Sequence, residues 1–186
     1  MINKIFAITS SRSDFGILKP LLNEIERDKK LDLTLNITGS HFSKLFGLTH
    51  KEISKSNFKK IVKNKINYKI SDLSKSLKLL NIFKNNLIKS KPDLLIILGD
   101  RFEILIAAYC AFMLKIKIAH IHGGEKTKGS LDDQIRHCIS KLSNYHFVVH
   151  DNYKKRLVQL GENSTNIFNY GSLSSEEITK IKMLSK

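Results

Sequence analysis

Three short runs along the chain are almost wholly apolar and show no alternation: Lys4 to Thr9 (KIFAIT), Asp93 to Leu98 (DLLIIL) and Ile116 to Ile121. Each is cut off by polar or glycine residues, the pattern of strands buried on both faces of a sheet. Leu33, Leu35 and Ile37 alternate up to Gly39 and predict another strand. Tyr145 to Val149 and Asn166 to Tyr170 add two more. Between these runs apolar residues recur at helical spacing. Phe15, Leu18, Leu22 and Ile25 trace one face, and Pro20 suits a first turn, so a helix is expected from about Leu18 to Arg27. Leu73, Leu77, Leu80, Phe83 and Leu87 trace a long helix that stops before Pro92, with lysines on its opposite face. ILIAAYCAFML is apolar all round and predicts a buried helix. A stripe of Leu131, Ile135, Cys138, Ile139 and Leu142 follows Ser130, with Asp133 placed to complete a capping box. Further helices are expected over Asn152 to Leu160 and from about Ser175. Residues 43 to 70 read only as a short helix and a strand around Phe58 to Val62.

Strands without alternation, each followed by a helix, imply a parallel sheet covered on both faces. The expected fold class is therefore α/β, a doubly wound parallel sheet. Such sheets bind ligands beyond the carboxyl ends of their strands. Those ends carry Ser10-Ser11-Arg12, Gly39-Ser40-His41, Gly99-Asp100-Arg101 and His120 to Glu125. These four polar clusters thus fall on one rim.

A chain of 186 residues with 41% hydrophobic and 26% charged residues is expected to fold as one domain with a real core. Its formal charge of +15 is carried mostly by lysines spread along the chain, with few aromatics among them, the pattern of a solvated surface more than of a nucleic-acid face. Cys110 and Cys138 lie on apolar stretches without metal-ligand spacing, so two buried, reduced thiols and a cytoplasmic setting are expected. Neither a signal peptide nor a membrane span is expected, since no apolar run approaches the length that would cross a bilayer.

The rim residues suit three chemistries. His120, His122 and Glu125, with Asp100 or His137, form a weak candidate metal set for a hydrolase. Asp100, His122, Glu125 and Asp132 are candidates to take and give protons, with Arg12, Arg101 and Arg136 as cations for a leaving group. A non-catalytic basic binding module is the third reading. Asp132 and Arg136 also stand four apart, as in an ordinary surface ion pair. Gly123-Gly124 allows close backbone approach to a ligand but belongs to no dinucleotide or Walker motif.

SSRSDFG, TGSHFSKLFG, LGDRFE, HIHGGEKTKGSLDDQIRH and NYGSLSSEE occur in that order. Together they resemble the N-terminal half of the hydrolysing UDP-N-acetylglucosamine 2-epimerases, in the sialic and legionaminic acid branch. The resemblance implies a Rossmann-like N-terminal domain of a glycosyltransferase-B type fold over residues 1–172. Residues 173–186 would open an interdomain helix, and a second domain of similar size would be absent. It also implies elimination of UDP from UDP-N-acetylglucosamine or a 2,4-diacetamido relative, then hydration of the resulting glycal to free N-acetylmannosamine or its analogue. Asp100 and Asp132 match catalytic carboxylates, and Arg12 matches a residue near the UDP phosphates. His122 stands where many relatives carry Glu, which leaves the proton-transfer role open between His122 and Glu125. Substrate contacts are expected from Arg12, His41, Arg101, Arg136 and His137. No metal or cofactor is required, and no nucleic acid or membrane partner is implied. The expected partners are the UDP-sugar, a separate C-terminal chain without which turnover is small, and further copies in a homo-oligomer of the full-length relatives.

Overall fold

The computed structural model describes residues 2–66, 73–127 and 129–173. Strands β1 (Lys4–Thr9), β2 (Asp32–Ile37), β3 (Ile61–Lys63), β4 (Leu94–Leu98), β5 (Lys117–Ile121), β6 (Tyr145–Val148) and β7 (Ile167–Asn169) form one sheet. Their order is β3-β2-β1-β4-β5-β6-β7, and each adjacent pair is parallel. Helices α1 (Arg12–Arg27), α2 (His50–Ile53), α3 (Leu73–Ser90), α4 (Phe102–Met113), α5 (Leu131–Leu142) and α6 (Asp151–Gln159) alternate with them. The chain steps one way from β1 to β2 and the other way from β4 to β7. Right-handed crossovers therefore put the helices on opposite faces. Phe6, Ile8, Leu95, Ile97 and Ile118 meet α3, α4 and α5 on one face. Ile5, Ala7, Leu35, Ile96 and Ala119 face α1 on the other. Thr9 pairs with Ile37 and Leu98 with Ile121, so the carboxyl ends of β1, β2, β4 and β5 stand side by side. The doubly wound parallel sheet is the fold expected from the strand pattern.

Several boundaries and faces differ from expectation. Helix α1 starts at Arg12, where the Ser11 side chain accepts the Asp14 N–H, and Pro20 lies inside it. The cap outweighs the one backbone bond that proline removes. On α5 Ser130 accepts from Asp132 N, while Asp133 Oδ1 accepts from Thr127 N at 3.0 Å, so Asp133 braces the preceding loop and closes no capping box. Leu131 and Cys138 are exposed, whereas Arg136 and Ser140 are buried. Only one of the two thiols, Cys110, is buried as expected. On α3 Leu77 is exposed and Leu79 takes its place in the core. The apolar helix α4 is buried along one side only, leaving Tyr109, Phe112 and Met113 exposed. The helix expected from Ser175 lies outside the described residues.

Candidate active site

The rim is assembled from the loops after β4 and β5 and from the first turns of α5. His122 N donates to Phe147 O at 2.9 Å, extending the β5 pairing one residue past the strand. His122 then takes φ +64°, a left-handed conformation uncommon for a residue with a Cβ, and the chain turns through Gly123-Gly124. The turn brings Glu125 back so that His122 Nδ1 and Glu125 Oε1 are 2.8 Å apart.

The two glycines serve the protein's own packing. A Cβ on Gly124 would lie 2.6 Å from Tyr153 O and 2.9 Å from Leu157 Cγ, both on α6. A Cβ on Gly123 would lie 3.0 Å from His120 Nδ1. Arg156 of α6 donates to Gly124 O and sits 5.8 Å from the Tyr153 ring centroid. Helix α6 thereby fixes the loop that carries His122 and Glu125.

Arg136 enters from α5 and is almost wholly buried. Its Nη2 donates to Asp100 Oδ2, and its Nη1 lies 3.9 Å from Glu125 Oε2. It therefore bridges two rim carboxylates and forms no surface pair with Asp132. Burial raises the Asp100 pKa; the Arg136 charge offsets part of that rise, and the charges of Asp132 and Glu125 add to it. Burial also acts to raise Glu125, but the His122 hydrogen bond and the charges of His122 and Arg136 outweigh it and hold this carboxyl below its ordinary value. Asp100, His122 and Glu125 thus form one cluster around Arg136, with its two carboxyls shifted in opposite directions, and Asp132 is near enough for its charge to act on Asp100. Such a split is what an acid/base pair requires. His122 also borders a cavity of about 280 Å³, lined by Ile121, Phe147 and Tyr170 among others.

The remaining candidates are scattered. Arg12 is exposed at the first position of α1. Arg101 precedes α4, and its Nε donates to Glu103 Oε1 at 2.9 Å. His41 is fully buried between Thr9 Oγ1 at 2.9 Å and Thr49 Oγ1 at 2.7 Å, and burial lowers its pKa to about 4. Its ring braces two strand-end loops. His137 lies 3.8 Å from Asp133.

His120 does not join a metal set with His122 and Glu125. Its Nε2 contacts Gly99 O at 2.7 Å and its Nδ1 contacts Ser140 Oγ at 3.1 Å, while His122 and Glu125 bind each other. Burial takes His120 down to about 3, fixing it neutral between these partners. Pattern reading missed Glu103, Asp14 and Arg156. Glu103 lies in the LGDRFE run, where the pattern assigns it no role, and nothing in the local sequence marks Arg156 as a loop anchor.

The fold and the cluster define a half-buried carboxylate, histidine and arginine cluster at the carboxyl-end rim of a doubly wound α/β domain. The chain belongs to the UDP-N-acetylglucosamine 2-epimerase family, whose model matches residues 23–186. It is 45% identical to a GDP/UDP-N,N'-diacetylbacillosamine 2-epimerase (hydrolyzing) of Campylobacter jejuni, covering 98% of this chain and 48% of that protein. It is 37% identical to the UDP-N,N'-diacetylbacillosamine 2-epimerase (hydrolyzing) of Legionella pneumophila, covering 98% and 49%. A solved UDP-N-acetylglucosamine 2-epimerase matches in fold with a TM-score of 0.83 at 17% identity, over 100% of this chain and 53% of that one. The chain spans about half the length of the curated relatives it matches.

Proposed function

We propose that this chain is the N-terminal, acid/base half of a hydrolysing UDP-sugar 2-epimerase, acting on a UDP-2,4-diacetamido-trideoxyhexose of the diacetylbacillosamine type. The observation that carries the reading is the rim cluster in which Arg136 joins Asp100 to the His122–Glu125 pair. In this scheme the His122–Glu125 pair removes the proton at C2 while the C1–O bond to UDP breaks, leaving a C1=C2 glycal. Asp100, the carboxyl raised by burial, then gives its proton to the opposite face of C2 while water adds its oxygen at C1 and passes its own proton to the carboxylate so formed. Asp132 sets the field at Asp100. Arg12 and Arg101 lie on the same rim as cations for the departing diphosphate.

The relatives named for UDP-N,N'-diacetylbacillosamine support the substrate class. A homo-oligomer is part of the same reading, supported by the exposed Tyr109, Phe112 and Met113 on α4. A cytoplasmic setting fits the two unpaired thiols. The test incubates the chain in D2O with the UDP-2,4-diacetamido sugar or with UDP-N-acetylglucosamine, alone and with the C-terminal half of the Campylobacter jejuni relative. UDP release and a free sugar carrying deuterium at C2 are expected only in the combined sample, and formation of the deuterated sugar is expected to fall about 100-fold in Asp100→Asn. Release by the chain alone overturns the need for a second half. Deuterated sugar formed at an unchanged rate in Asp100→Asn overturns the assignment of the cluster.

A further inference from the structure

Glu103 is a carboxylate with 1% of its surface exposed, in the first turn of an otherwise apolar helix. Burying such a group is costly unless it is paired and hydrogen-bonded. Its surroundings supply the partner. Glu103 Oε1 accepts from Arg101 Nε at 2.9 Å. The same oxygen lies 2.8 Å from where a Cβ on Gly39 would sit, at φ +61°. That Cβ would also lie 2.6 Å from Ser10 O, the carbonyl that accepts from Ser40 N at 2.8 Å and Ser40 Oγ at 3.0 Å. Ser10 Oγ in turn donates to the buried Asp14 Oδ2 at 2.6 Å. The loops after β1, β2 and β4 therefore close over one carboxylate, and its charge-assisted bond goes to Arg101.

Arg101 itself is placed against local preference. The residue before a helix is favourably Ser, Thr, Asp or Asn, and a cation there opposes the helix dipole. Arg101 makes no capping bond, and Arg12, behind the Ser11 cap, sets a second cation in the first turn of α1, the helix that follows the neighbouring strand. Nε is the only side-chain atom of Arg101 with a hydrogen-bond partner among the described residues, and the side chain is 42% exposed.

We propose that Glu103 is a positioning residue: by holding Nε beneath the three loops it presents the two terminal nitrogens of Arg101 to an oxyanion at the rim. That oxyanion is the diphosphate of the nucleotide-sugar. The proposal rests on the UDP-sugar reading for the identity of the ligand, and its test reads binding, not turnover.

The probe is inorganic pyrophosphate, followed through the arginine Nε–Hε resonances of the chain at pH 7.5. The Arg101 signal is expected to shift on titration. Glu103→Met, similar in size but without an acceptor, is expected to weaken pyrophosphate binding about fivefold, even though removing a negative charge strengthens anion binding through the field alone. Glu103→Gln, which keeps an acceptor for Nε–H, is expected to stay within about twofold of the parent chain. If Glu103→Met does not fold, Arg101→Lys, which keeps the charge but offers no Nε–H to be held, is expected to show the same loss. An Arg101 resonance unmoved by pyrophosphate overturns the proposal, as does binding in Glu103→Met or Arg101→Lys equal to or tighter than in the parent chain. Absence of epimerase activity in the sample that combines both halves, with these binding results intact, overturns the functional reading alone.

Discussion

Gly124 concentrates the constraints on the site in one residue. Its φ of +73° is a region that side chains with a Cβ adopt at a cost, and its missing Cβ would stand 2.6 Å from a backbone oxygen of α6. Neither the loop nor Tyr153 O yields without moving the helix. Gly124→Ala is expected to destabilise the chain by about 2–4 kcal/mol in urea unfolding. Gly123→Ala, whose Cβ would meet only side chains at 3.0 Å and beyond, is expected to cost about 1 kcal/mol. Equal costs for the two would show that α6 does not hold the loop. The neighbouring His122 carries similar backbone strain at φ +64° without being glycine, at the residue whose side chain pairs with Glu125.

Helix α5 shows what residue patterns reveal and what they hide. The strands and their parallel order were legible because a strand buried on both faces reads as an unbroken apolar run, as KIFAIT and DLLIIL do. The rim was legible because it follows from that order, and Asp100, His122, Glu125 and Asp132 were found on it. The packed face of α5 was not legible. Pattern reading equates buried with apolar, yet this helix buries Arg136 against Asp100 and Ser140 against His120, while Leu131 and Cys138 point outward. Each polar residue inside is matched by a partner on another element, and no local sequence signal records a partner so far along the chain. The same blindness hid Arg156, whose partner is a backbone carbonyl on the glycine loop. The rotated face is checked by thiol labelling under native conditions. Cys138 is expected to react at once and Cys110 only after urea is added, whereas two protected thiols would restore the face that the apolar stripe predicts.

At the scale of the whole molecule, the buried titratable groups set how stability follows pH. His41 and His120 have ordinary values of 6.5 and fall to about 4 and about 3 in the folded chain, and burial lowers His146 as well. A histidine with a lowered folded pKa takes up its proton on unfolding, so these groups destabilise the fold as pH drops below 6.5. Glu103 works the other way. Burial raises it from 4.5 to about 7, so its contribution is complete at low pH and is lost as pH rises through that interval. Between pH 5 and 6.5 the histidines outnumber the carboxyl, and the net effect favours the higher pH. Between 6.5 and 8 the last of the Glu103 loss offsets the last of the histidine gain. The chain, at a formal +15, is therefore expected to show a flat stability profile from pH 6.5 to 8 and a loss of about 2 kcal/mol by pH 5 in urea unfolding. Glu103→Gln removes the opposing contribution, so the loss on acidification is expected to grow to about 4 kcal/mol while stability at pH 8 rises relative to the parent chain. An acid limb unchanged by Glu103→Gln would mean that this carboxyl is ionised in the fold well below neutral pH, with Arg101 countering its burial.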